Sequence, residues 1–252
     1  MKFFVGLHHP ADARGFDHAM VSVNALLTRK SDFHPRGEWM LDSGAFMQIK
    51  QHGEFVLSLY DYASAIKRWR RCGNMVAAVS QDYMCESFVL ARTGRTVAEH
   101  QHATICRYCT LRFLVRDAAY LMPVLQGFEP WEYVAHVRQY GSMLAPGQWV
   151  GVGSVCKRNS RVEDVERVLL AIREERPDLR LHGFGLKITA LESSIVRDCL
   201  HSADSMAWSY AARREGRKKD VNDPAEAARY AERIRTQEPV TRQCQRRLED
   251  FT

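Results

Sequence analysis

Three aspartates hold the chemistry this chain could do. Asp42 begins the run Asp42-Ser43-Gly44-Ala45-Phe46, Asp82 lies in Ser80-Gln81-Asp82-Tyr83-Met84-Cys85-Glu86, and Asp204 lies in Ala203-Asp204-Ser205. Between them come Gln126-Gly127, Gly151-Val152-Gly153-Ser154 and His182-Gly183-Phe184-Gly185-Leu186-Lys187. Several carboxylates around one mouth suit acid/base or nucleophilic work at a sugar carbon, or the holding of a metal. Two carboxylates flanking a glycosidic bond can divide the work, one attacking the anomeric carbon and the other handling protons. Glycines at strand ends let a planar ligand approach the backbone. Gln and Asp together offer donors and acceptors that suit the edge of a base. The combination fits a nucleobase in a slot. An aspartate after a strand also often caps the next helix. That plainer reading serves any one of the three better than it serves the whole set.

The elements that must position these residues are short apolar runs alternating with longer amphipathic stretches. Strands are predicted at 3–7, 20–24, 39–42, 76–82, 120–126, 149–153, 179–185 and 203–206. Helices are predicted at about 59–71, where Tyr62, Ala65, Ile66 and Trp69 recur at helical spacing, at about 97–115, and at 162–173, where Val165, Val168, Leu169 and Ile172 share a face. Pro130 suits a helix first turn, and Asp223-Pro224 a cap followed by the first position of a terminal helix. Strands alternating with helices predict a parallel sheet. Eight of them in this length predict an α/β fold of the (β/α)8, TIM-like barrel type, with the doubly wound open sheet as the alternative. Chemistry in such barrels sits at the C-terminal ends of the strands, which is where the polar residues above fall. The domain division expected is a barrel over 1–215 and a basic, helical tail over 216–252 that packs on or closes it.

With 252 residues, 46% hydrophobic and 26% charged, the composition is that of an ordinary globular protein. It excludes disorder, collagen-like repeats and a small disulfide-stapled scaffold. No apolar run approaches the ~20 residues that span a bilayer, so no membrane partner is expected. The odd count of scattered cysteines, seven in all, does not suit a secreted disulfide framework. The expected location is the cytoplasm. The net charge of +6 permits a nucleic-acid partner without demanding one.

Two apparent metal motifs are set aside. Cys106-Arg107-Tyr108-Cys109, with His100 and His102 upstream, imitates a zinc site, but it falls in a predicted helix where Ile105, Cys109 and Leu111 have core-like spacing. His8-His9 could join Asp42 and Asp204 around a metal, as in barrel hydrolases, but a strand-end His-x-His is missing. No metal site is assigned.

In this order, the motifs resemble those of the tRNA-guanine transglycosylase superfamily, over about residues 3–215. Leu41-Asp42-Ser43-Gly44-Ala45-Phe46 is similar to its Asp-Ser-Gly-Gly-Phe/Tyr motif, and Asp82 to its base-recognising aspartate. Val124-Leu125-Gln126-Gly127 resembles its Val-Gln-Gly segment, Gly151-Val152-Gly153 falls at its Gly-Gly-Leu loop, and His182-Gly183-Phe184-Gly185 at its Met-Gly-Val-Gly. Ala203-Asp204-Ser205-Met206-Ala207 is similar to the Phe-Asp-Ser-Ala stretch that holds the nucleophile. The tRNA enzymes carry a C-terminal zinc site of three Cys and a His, for which only Cys244 is present here. The stripped barrel looks more like the compact DpdA-type proteins of phages.

The resemblance implies a pentosyltransferase that exchanges guanine in DNA for a 7-deazaguanine such as preQ0. The site would be in host cytoplasm if the chain is phage-encoded. Asp204 would attack C1′ with Asp42 assisting proton transfer, and the base would be read by Asp82, Gln126, Gly151 and Gly153, with Phe46, His182 and Gly183 completing the slot. Lys157, Arg158, Lys187, Arg213, Arg214, Arg217, Lys218 and Lys219 are the candidates for contact with the nucleic-acid backbone, although a run such as 213–219 is also what a solvated helix face looks like. No cofactor is implied beyond the 7-deazaguanine co-substrate, and zinc is not expected. A helper protein is left open. The alternatives are a compact tRNA-guanine transglycosylase of queuosine or archaeosine type and a catalytically silent nucleic-acid-binding subunit.

Overall fold

A computed structural model describes residues 1–156, 161–209 and 222–236. Nine parallel strand segments form one sheet: β1 (Lys2–Leu7), β2 (His18–Ser22), β3 (Glu38–Asp42), β4 (Asn74–Val79), β5 (Leu121–Met122), β6 (Val124–Leu125), β7 (Trp149–Val152), β8 (Arg180–Gly183) and β9 (Leu200–Ser205). Their order is β5-β4-β3-β2-β1-β9-β8-β7-β6. The two ends of that order, β5 and β6, are the halves of one strand interrupted at Pro123. Proline has no N–H to give the ladder. On one side Ser80 N–H bonds Met122 C=O, and on the other Gly151 N–H bonds Pro123 C=O, each at 2.9 Å. The sheet thereby curls into a nearly closed TIM-like barrel, in a single domain.

Helices cover the outside: α1 (Ala45–His52), α2 (Leu59–Trp69), α3 (Ser87–Thr93), α4 (Val97–Val115), α5 (Pro130–Tyr140), α6 (Val162–Glu175), α7 (Ile188–Leu191), α8 (Ser194–Cys199) and α9 (Pro224–Thr236). Their starts are chemically marked. The Ser58 hydroxyl accepts from Asp61 N–H ahead of α2, and Thr96 and Glu99 exchange bonds as a capping box on α4. Pro130 opens α5, where the missing N–H is harmless. Asp223 Oδ1 accepts from Ala225 N–H at the start of α9. On α6 the buried stripe Val165, Val168, Leu169 and Ile172 faces the sheet, and burying each such side chain favours folding by about 1.5–3 kcal/mol. Of the tail expected over 216–252, residues 224–236 form α9. It docks beside β1, with the Tyr230 and Phe3 rings 6.2 Å apart and Tyr230 Oη accepting from Ile188 N–H at 3.0 Å. The expected boundary at 215/216 lies outside the described residues.

Several expected boundaries move. The second strand lies at His18–Ser22, not 20–24, because the Ser22 hydroxyl accepts from Asn24 N–H and turns Val23–Ala25 into a 3-10 turn. The fourth strand stops at Val79, the fifth is split, and the seventh is shorter than 179–185. The last strand is longer than expected, beginning at Leu200. On α4 the buried face is His100, Gln101, Thr104, Tyr108, Leu111 and Val115. Cys109 is therefore exposed, not core, because it falls off that stripe. Cys106 Sγ is 3.4 Å from His102 Nε2 on the same exposed face. Among the described residues no three His, Cys, Asp or Glu are grouped to hold a metal, and no helix is long and apolar enough to cross a membrane.

Strand alternation decides what enters the barrel, because successive side chains point to opposite faces. One interior layer is apolar: Phe4, Met20, Met40, Ala77, Val79, Met122, Val124 and Trp149. Counting two residues further toward the C-terminal ends reaches Gly6, Ser22, Asp42 and Gln126. These residues line a cavity at that end of the barrel.

Candidate active site

The cavity holds about 210 Å³ and is walled by Asp42, Asp82, Asp204, Glu86, Gln126, Ser154, Phe46 and Phe184, among others. Pockets for drug-sized ligands run to about 300–1,000 Å³, so the space suits a single base rather than a nucleotide.

Asp204 is the penultimate residue of β9, the strand that lies between β1 and β8. Its Oδ1 accepts from Gly185 N–H at 3.0 Å and lies 3.3 Å from His182 Nε2. His182 is fully buried below the carboxylate. Its Nδ1 is 2.9 Å from the Ser202 hydroxyl, which itself accepts from Trp149 Nε1–H at 2.9 Å. The chain of bonds assigns the tautomer: Ser202 donates to Nδ1, leaving Nε2–H to donate to Asp204. One carboxylate oxygen is thus held from two directions, while Oδ2 accepts no hydrogen bond from the described residues.

Asp42 lies at the end of β3, with its Oδ2 accepting from Gly44 N–H at 3.0 Å. Burial pushes its carboxyl up to about 6. The Gly44 bond opposes that shift, and the neighbouring Asp204 charge adds to it. Asp82 is pushed up to about 7, first by burial; the bond from Gln126 opposes this, and the charges of Asp42 and Glu86 add to it. Gln126 Nε2–H donates to Asp82 Oδ2. A carboxyl that titrates near neutral pH can serve as an acid or a base.

The backbone of Gln126 is fixed from both sides. Its N–H donates to His136 Nδ1 at 2.8 Å, and its C=O accepts from Gln101 Nε2–H at 2.7 Å. Burial pushes His136 down to about 3, which keeps the ring neutral and Nδ1 free to accept. Tyrosines on the outer helices clamp strand ends in the same way: Tyr62 Oη donates to Val79 C=O at 2.6 Å and Tyr133 Oη to Gly153 C=O at 2.7 Å. Loop residues are thereby held as firmly as strand residues.

The glycines serve the site's own side chains. A Cβ at Gly151 would lie 2.3 Å from the Phe184 ring, and one at Gly153 would lie 2.1 Å from Gln126 Nε2. At Gly183 it would meet Leu186 at 2.5 Å. The close approach expected of a ligand at Gly151 and Gly183 is taken up by protein. Gly153→Ala is expected to displace the Gln126 amide and weaken base binding by about tenfold or more, the cost of one charged hydrogen bond. The melting temperature should fall as well, since the displaced amide leaves buried partners on Asp82 and Ser154 unmet. Calorimetric titration with guanine and a thermal melt check both halves.

Of the sequence-predicted residues, the structure brings Asp42, Phe46, Asp82, Gln126, Gly153 and Asp204 to the cavity wall. Gly151, Gly183 and His182 lie behind it, His182 because its ring points along the floor toward Asp204. Lys187 is exposed at the start of α7. Lys157, Arg158, Arg213, Arg214, Arg217, Lys218 and Lys219 lie outside the described residues. Sequence reasoning gave no role to Phe184, Glu86, Ser154 or His136. The period-two count from His182 points to Phe184, and Ser22 is the register partner of Asp42 on the adjacent strand. Nothing in the sequence marks His136, whose importance comes from what α5 packs against.

The model of one protein family, described as DpdA, DeoxyPurine in DNA protein A, matches residues 1–249. No curated protein matches the chain.

Proposed function

The chain belongs to the DpdA family, and from that premise we propose that it is a DNA guanine transglycosylase, exchanging guanine for a 7-deazaguanine base of preQ0 type. The observation that carries the reading is the sharing of one base-sized cavity by Asp204, with Oδ1 held and Oδ2 unengaged among the described residues, and by the Asp82–Gln126 pair.

The target guanine leaves the stack to reach the cavity, since C1′ is otherwise inaccessible. Asp82 and Gln126 read its polar edge, and Phe46 and Phe184 offer ring faces, each stacking contact being worth about 1–3 kcal/mol. Asp204 Oδ2 attacks C1′, the C1′–N9 bond breaks, and its electron pair leaves with guanine, which takes up a proton. The deoxyribose stays joined to Asp204 through an ester-like C–O bond. The incoming base gives up its N9 proton, its N9 attacks C1′, and the Asp204 carboxylate is released. Two displacements give retention, and the proton gained by one base is lost by the other. Asp42 handles that proton. His182 positions Asp204, and exposed Lys187, together with the cations of 157–158 and 213–219, is proposed to meet phosphates. The co-substrate base is the only other small molecule the reaction needs.

The test is mass spectrometry of nucleosides after incubating the protein with preQ0 and either duplex DNA or tRNA. The deazaguanine nucleoside is expected in the DNA digest. Product in tRNA alone would replace this reading by a compact tRNA enzyme. Absence of product from both, with and without lysate as a source of a helper protein, would leave a silent binding subunit.

A further inference from the structure

A single exposed aromatic ring is ordinary on a protein surface, but the place of one of them here is not. Phe88 lies in the first turn of α3 and is 40% exposed. Its ring meets the Phe46 ring edge to face, with 6.3 Å between centroids, and Phe46 is part of the cavity wall. Glu86, two residues earlier in the chain, belongs to the same wall. Phe88 therefore stands outside the cavity, one ring removed from its interior.

The ground beneath it is firm. The next residue, Val89, is buried and joins Ile49, Phe55, Tyr83 and Met84 in a small apolar cluster under α1 and α3. Arg92 Nη2–H donates to Gln51 C=O at 2.6 Å, which ties α3 to the end of α1, and Gly94 closes α3 in the left-handed region. Arg92 follows Phe88 by four residues, so the two share a side of the helix. Lys50 Nζ lies 5.7 Å from the centre of the Phe46 ring. Lys50 and Arg92 are both exposed. A ring open to solvent is thus fixed beside a base-sized cavity with two cations near it, the charge that a phosphate backbone attracts.

A second exposed apolar side chain at the cavity, Met206, is placed differently. It is itself part of the wall and lies over Gly6, where a Cβ would come within 2.2 Å of its Cγ. Met206 fills wall space, whereas Phe88 leaves much of its surface to solvent.

Taking the cavity as the seat of a guanine drawn from duplex DNA, the reading on which this step rests, we propose that Phe88 enters the duplex at the gap the guanine leaves. A base that leaves the stack breaks its pair and uncovers the faces of its neighbours. Apolar side chains inserted at a base step occupy such openings in proteins that distort DNA. The Phe88 ring fills the opening and keeps the guanine from returning, while Lys50 and Arg92 meet phosphates beside it. Phe88 is a positioning residue: it touches neither C1′ nor the base being exchanged, and it takes part in no bond change.

The experiment compares Phe88→Ala with wild type on two DNA substrates. One is a duplex in which wild type exchanges a guanine whose position has been located by mass spectrometry of the oligonucleotide. The other is the same duplex with an abasic site opposite that guanine, so that no pair has to be broken. On the paired duplex the variant is expected to lose about 10–100-fold in kcat/KM, the worth of one aromatic stack. On the abasic duplex it should lose far less. Phe88→Leu keeps an apolar wedge and is expected to recover most of the loss. Guanine affinity, read by calorimetry, should be equal in all three proteins. Equal losses on the two duplexes would overturn the role and leave Phe88 as packing for Phe46, as would a guanine affinity that falls with them. Full activity of Phe88→Ala on both duplexes would overturn it too. In each of these cases exchange by wild type keeps the base-exchange reading standing. Exchange by wild type in tRNA alone, or in no nucleic acid, would remove that reading and this inference with it.

Discussion

Asp204→Asn is expected to lower base exchange by about three orders of magnitude or more, as removal of a nucleophile does in other covalent enzymes. The substitution is nearly isosteric. Its carbonyl oxygen still accepts from Gly185 N–H, and the His182–Ser202–Trp149 chain beneath it is untouched. What disappears is the anionic oxygen that would attack C1′. The fold should therefore melt at an unchanged temperature while the deazaguanine nucleoside vanishes from the DNA digest. Denaturing electrophoresis supplies the complementary reading: a protein–DNA adduct that survives denaturation in wild type and is missing in the variant. Near-normal exchange by Asp204→Asn would remove Asp204 from the reaction and, with it, the two-displacement mechanism.

Asp82→Asn is expected to separate stability from function. The Asp82 carboxyl is raised from about 3.8 in the unfolded chain to about 7 in the native one. Between those values the native state holds a proton that the unfolded state has released. A raised carboxyl therefore makes folding less favourable as pH rises, by about 1.4 kcal/mol per unit across the interval from roughly 4 to 7. Asparagine has no such dependence. At pH 8 the variant should be more stable than wild type by about 2–4 kcal/mol, and the advantage should shrink through pH 7 and vanish near pH 4. Guanine binding should fall at the same time by about a hundredfold, since the acceptor for N1–H and the amino group is lost. Urea unfolding at pH 8 and pH 4.5 reads the first effect, and calorimetry the second. A variant less stable than wild type at pH 8 would show that Asp82 holds the loop together rather than straining it. The trade is a common one, because sites are built at the expense of stability.

Much of the barrel was legible because strand and helix periods alternate along the chain, and a parallel sheet follows from that. Asp42, Asp82, Gln126 and Asp204 were legible as polar ends of apolar runs. The split at Pro123 needed only the missing N–H to be taken seriously. The 3-10 turn after β2 was harder, since its cause is one serine hydroxyl folding back on Asn24. Helix α4 misled because its buried stripe is polar, with His100, Gln101 and Thr104 turned inward to brace loops. The inward role of Cys109 failed for that reason. Phe184, Ser154 and Glu86 stand in the quoted motifs, but their importance depends on contacts between residues far apart in sequence. Cys85 N–H meeting Ser154 Oγ is one example, and the Phe184 ring lying over Gly151 is another.

Asp204 stands on β9, which pairs with both β8 and β1. The pairing of Lys2 with Ser202 spans nearly the whole described chain, and contacts between such distant segments form slowly because the long loop must first be closed. The strand that seals the ring is thus the strand that carries the oxygen proposed to attack C1′. Seven strand positions can be in place, with Asp82, Gln126 and Gly153 already gathered just beyond the ends of β4, β6 and β7, before the carboxylate proposed to react is delivered. On the proposed mechanism, an unfinished copy of the protein would hold a base without cutting one from its sugar, so immature chains would leave a genome free of abasic scars.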